Sequence, residues 1–120
     1  MAPGTWFTPG LGACGINNSP SDFIVAVSVP VFNNFPGAGP NPNTDPICSR
    51  SITINCVYPR VRCVCKASDV CTDNGKNVQA AITDKCYACA QNDIDMSPAL
   101  FEQFADTSVG RLYGVSWWYN

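Results

Sequence analysis

The chain contains no histidine. That removes Ser–His and Cys–His nucleophilic pairs and imidazole metal ligands, so any acid–base chemistry must rest on carboxylates. Charge is also scarce, at 13% of residues with a formal net charge of −2. Neither a basic patch nor a Lys/Arg run is there to neutralise phosphates, so no nucleic acid and no anionic membrane is expected as a partner. No apolar stretch approaches the roughly 18 residues that a membrane span needs. No secretory leader is expected within these residues, since Met1-Ala2-Pro3-Gly4 runs straight into the domain, and Met1 is read as a start that replaces a removed leader.

Cysteine, by contrast, is abundant. Eight cysteines in 120 residues, even in number and set among 10 prolines and 9 glycines, favour an oxidising compartment and a crosslinked, loop-rich fold. The expectation is a secreted, extracellular monomer with four disulfides and no free thiol. At this length the chain forms one domain over residues 1–120, large enough for a single core. Zinc is the competing use of Cys86-x-x-Cys89, but a second CxxC is missing and Cys63-x-Cys65 is poor ligand spacing. No metal and no cofactor is therefore expected. Eight cysteines allow 105 pairings. Cys14 and Cys48 are expected to pair with Cys86 and Cys89 in some order, and the crowded Cys56, Cys63, Cys65 and Cys71 among themselves.

Short strands punctuate the chain. Residues 23–29 (FIVAVSV) are β-branched and aromatic, and end at Pro30. Residues 33–46 hold four prolines and form a loop. Residues 51–55 alternate as a half-buried strand, residues 61–65 and 77–82 flank a turn at 68–76, and residues 112–118 close the chain. A small all-β barrel or sandwich with one short helix near the end follows. That helix begins at Ser97, a good N-cap, with Pro98 in the first helical position and Leu100, Phe101 and Phe104 on one apolar face.

The densest signal lies in residues 83–101, TDKCYACAQNDIDMSPALF. Asp84 ends the strand over 77–82, and Asp95 sits just ahead of the helix. There the macrodipole favours the ionised carboxylate, and loss of the charge would cost about 0.3–1 kcal/mol. Cys86 and Cys89 fall between the two acids, where a crosslink could fix their separation. Two positioned carboxylates beside a stapled loop point to a polar site. The plainer reading of Asp95 is a second helix cap.

Several elements together resemble the expansin-related double-psi β-barrel proteins, most closely the small fungal loosenins. They are Gly4-Thr5-Trp6-Phe7, Gly12-Ala13-Cys14-Gly15, residues 21–26 (SDFIVA), Ile47-Cys48, Thr83-Asp84-x-Cys86-x-x-Cys89, residues 93–101 (DIDMSPALF) and Gly114-Val115-Ser116-Trp117. The resemblance spans nearly the whole chain. It implies an all-β, six-stranded double-psi barrel with a surface groove. It also implies a role in loosening polysaccharide networks such as cellulose or chitin without cutting them. The family's key carboxylate falls on Asp95, its second acid on Asp84, and a groove hydroxyl on Thr5. Trp6 and Tyr87 are the candidate stacking faces, Trp117 is expected in the core, and Asp93 on the solvated surface. The second, carbohydrate-binding domain of many expansins has no counterpart in these residues, and the cysteines from Cys56 to Cys71 exceed the usual loosenin pattern.

Two alternatives share the barrel. The family 45 endoglucanases place a catalytic base after Thr-x-Tyr-Trp in the first strand, where this chain reads Thr5-Trp6-Phe7-Thr8 and has no acid before Asp22. An inverting hydrolase needs both acid and base, so the resemblance implies a protein that is not an enzyme. Barwin-like defence proteins and protease inhibitors act through exposed loops, for which residues 33–46 are a candidate.

Overall fold

The computed structural model describes residues 2–56 and 77–120. Six strands, β1 (Ala2–Trp6), β2 (Ile24–Ser28), β3 (Ser51–Cys56), β4 (Asn77–Cys86), β5 (Ile94–Met96) and β6 (Arg111–Tyr119), carry the architecture. They form a closed barrel in the order β1-β5-β2-β4-β3-β6, with β6 returning to pair antiparallel with β1. The β1–β5 and β2–β4 pairs are parallel and the others antiparallel. The strand read over residues 61–65, the turn over 68–76, Cys63, Cys65 and Cys71, and the pairing of Cys56 lie outside the described residues.

Residue type explains most of the placement. In β2 all five residues are buried. Val25 and Val27 join the core, while Ile24 and Ala26 point the other way under neighbouring segments. β5 is only three residues long and alternates cleanly, with Ile94 and Met96 inside and Asp95 between them. β1 passes over that core at close range: a Cβ on Gly4 would lie 2.7 Å from Met96 Cε and 3.2 Å from Val115 Cγ2. Only glycine lets β1 sit there without displacing its neighbours.

β4 differs from the expected strand by running four residues further, through Asp84 to Cys86. Parallel pairing with β2 holds that extension, and the ladder contains a bulge. Val25 pairs with Ile82 but Ala26 pairs with Asp84, so one extra β4 residue is absorbed. A bulge of this kind re-aims the side chains that follow it. Here it turns Asp84 onto the face where Ala26 sits.

Two short α-helices are present among the described residues rather than one. α1 (Val29–Asn33) follows β2 directly, where Ser28 Oγ accepts from Val31 N and Pro30 occupies the first turn. α2 (Pro98–Phe101) starts as its sequence dictates, with Ser97 Oγ accepting from Leu100 N. Leu100, Phe101 and Phe104 are fully buried and close one end of the core.

Both described disulfides depart from the expected exchange between the two cysteine pairs. Cys14 bonds Cys48, and Cys86 bonds Cys89. The first fastens the loop after β1 to the short helical turn Pro46–Ser49, and the second closes the tight turn that leaves β4.

Candidate functional site

The barrel register aligns one residue from each of five adjacent strands. Arg111 (β6) pairs with Thr5 (β1), Thr5 with Asp95 (β5), Asp95 with Ala26 (β2), and Ala26 with Asp84 (β4). Directly paired residues project from the same face of a sheet. With strands about 4.8 Å apart, the row extends about 19 Å along the curved surface. It runs cation, hydroxyl, carboxylate, methyl, carboxylate.

Asp95 is its centre. Thr5 Oγ1 donates to Asp95 Oδ1 at 2.9 Å. Desolvation raises the Asp95 carboxyl above its ordinary range; the Thr5 hydrogen bond opposes this, the Asp84 charge adds to it, and Arg111 opposes it. Desolvation is the largest of these effects, which reverses the expected action of the helix dipole. The cause is geometric: Asp95 lies within β5, half-buried, and α2 is a single turn capped by Ser97. The second-cap reading of Asp95 loses its basis, since its carboxylate faces β1.

Asp84 is held differently. Its Oδ1 accepts from Ala13 N at 2.9 Å and from Lys85 N at 2.8 Å. Cys14 N also donates to Thr83 O at 3.1 Å, so the loop after β1 lies directly on this end of β4. Gly12 makes the approach possible, because a Cβ there would stand 2.4 Å from Thr83 O. The Cys86–Cys89 crosslink does not set the separation of the two acids. Ala26 does, as the shared strand partner on both sides.

The aromatic candidates are spread out. Trp6 alternates away from Thr5 along β1 and is 37% exposed, its indole N–H donating to Thr107 O at 2.8 Å. Tyr87 is 82% exposed in the Cys86–Cys89 turn, three residues past Asp84. Trp117 is partly buried against the core and donates to Asn92 O. Trp118 is exposed, opposite Thr53 on β3. Asp93 stands outside the row, its Oδ2 accepting from Ala90 N within the turn before β5.

Sequence reasoning missed Arg111 and the Ala13 amide. Arg111 follows Gly110 at the start of β6, and no local pattern announces that it will lie beside Thr5. Replacing Thr5 by Val tests the pair. Removing the hydroxyl donor should raise the Asp95 titration midpoint further, read by carboxyl-carbon NMR. An unchanged or lower midpoint would show that the bond does not tune Asp95.

No protein-family profile matches the chain. It is 31% identical over 116 residues to a papain inhibitor of Streptomyces mobaraensis, an alignment covering 94% of this chain and 66% of the inhibitor. It is 31% identical over 109 residues to Allergen Asp f 7 of Aspergillus fumigatus, covering 90% of this chain but 30% of the allergen. The chain thus spans less than two thirds of the full length of each of these curated relatives. Among solved structures, the Streptomyces papain inhibitor superposes with a TM-score of 0.74 at 28% identity, over 99% of this chain and 92% of that one. A mutant Clavibacter michiganensis expansin in complex with cellohexaose superposes with a TM-score of 0.67 at 17% identity, over 99% of this chain and 48% of that one. The fold is an expansin-like double-psi β-barrel.

Proposed function

We propose that the row from Arg111 to Asp84 binds a polysaccharide chain of a cell wall and loosens the network without cutting it, as a loosenin does. The alignment of four polar groups on one barrel face, with half-buried Asp95 at its centre, carries this reading. Wall glycans are held to one another by hydrogen bonds that are individually modest. A rigid row of donors and acceptors competes for several of them at once and keeps one chain away from its neighbours. The two described disulfides and the extracellular nature of wall glycans agree on an oxidising compartment outside the cell.

Binding without cleavage follows from the acids. A hydrolase needs a protonated acid and a second group free to activate water or attack the sugar. Asp95 has the acid's elevated proton affinity, but Asp84 Oδ1 already accepts two backbone N–H groups and braces a loop. Reducing ends measured beside tensile weakening on the same cellulose and chitin sheets should give weakening with no sugar release. Soluble oligosaccharides accumulating linearly with time would instead make the protein an enzyme.

A second reading, inhibition of a papain-like protease, is favoured by the match to the Streptomyces inhibitor over 94% of the chain. The two readings are tested separately.

A further inference from the structure

We infer that the loop of residues 10–18 is the segment that enters a cysteine-protease cleft, with Leu11 and Ile16 as its apolar anchors. The inference rests on the inhibitor reading and names the surface responsible. The anchors stand out from the loop: Leu11 is 75% exposed and Ile16 45%. No residue from 10 to 18 carries a charge. Glycines at 10, 12 and 15 keep the segment narrow enough for a cleft.

The loop is also braced along its length. Leu11 bridges Asn17 antiparallel, Gly12 N donates to Ile16 O, Gly15 N to Gly12 O, and Asn18 N to Gly10 O. From beneath it is held by the Cys14–Cys48 disulfide, by Cys14 N on Thr83 O, and by Ala13 N on Asp84. A segment already fixed in one shape loses little conformational freedom on binding, and this separates a tight inhibitor from a flexible substrate. Two exposed aliphatic side chains on a rigid frame offer apolar area that a partner removes from water by closing over them. The loop of residues 33–46, the other candidate for such a role, is polar and turn-rich, and its exposed residues are Asn, Pro, Thr and Gly.

The test is a papain inhibition assay with the native chain and an L11S/I16S double variant, together with amide hydrogen exchange of the native complex. Both positions are exposed, so the variant should keep the native melting temperature. Its inhibition constant should rise at least about 100-fold, as expected for losing two buried aliphatic contacts. Protection on binding should centre on residues 10–18. If the native chain leaves papain fully active, the inhibitor reading itself fails, and this inference with it. If the native chain inhibits while the variant inhibits equally well, or protection lies elsewhere, the inhibitor reading stands and the assignment of the loop is wrong.

Discussion

Asp95→Asn should bring wall weakening down to the buffer baseline while leaving the barrel intact. The amide keeps the size of the side chain and an acceptor for Thr5 Oγ1, but loses the charge that a sugar hydroxyl would meet. Hydrogen bonds to charged groups are stronger than neutral ones, and the loss corresponds to roughly 10- to 100-fold in affinity. The effect on stability has a definite sign. Because desolvation raises the native carboxyl above its unfolded value, the native state holds more protons between the ordinary aspartate pKa of 3.8 and its own. This contribution to stability is fully present below the unfolded pKa and is lost as pH rises through the native one. Asparagine removes that loss. The variant should therefore melt at or above the native temperature at neutral pH, with a flatter pH dependence across the acid range. Asp93→Asn is the control for activity, since Asp93 only closes a turn. If Asp93→Asn proves the more damaging to weakening, Asp95 is not the centre of the binding row.

Replacing Cys14 and Cys48 together by serine should produce the largest loss of stability. Their bond closes a span of 34 residues. Chain-entropy arguments assign such a crosslink about 3–4 kcal/mol. In a domain of this size that corresponds to a fall in melting temperature of about 10–15 °C. The Cys86–Cys89 bond closes a separation of only 3, so the matching double serine variant should cost about half as much. Thermal melts of both variants check the ordering. A smaller loss for the Cys14–Cys48 variant would mean that the hydrogen bonds of the loop, rather than the crosslink, hold it to β4.

The elements legible in the sequence were those fixed by neighbours in the chain. Ser97 and Pro98 announce α2 because capping acts within one turn, and the β-branched run of β2 announces a strand for the same local reason. β5 is illegible in the sequence because an alternation over three residues is too short to stand out, so Asp95 reads as part of the approach to the helix that follows. The last residues of β4 were hidden by their polarity, since parallel pairing with β2 holds Asp84 and Lys85 in the strand despite their charge. α1 ran against propensity, as Val-Pro-Val-Phe reads as extended until Ser28 is seen to cap it. Within the site, Asp84, Thr5 and Asp95 could be singled out by resemblance. Their partners Arg111, Ala26 and the Ala13 amide depend on register and on a bulge, which are set by packing across the whole barrel.

One carboxylate ends up serving two surfaces. Asp84 closes the polar row through its place beside Ala26, and the same side chain holds Ala13 and with it the loop carrying Leu11 and Ile16. A ligand that drew Asp84 toward the row would slacken the loop, and a partner that pressed the loop onto β4 would fix Asp84. Thermodynamic linkage makes such an influence equal in both directions. If the row holds a glycan and the loop a protease, binding at one would then change the affinity at the other.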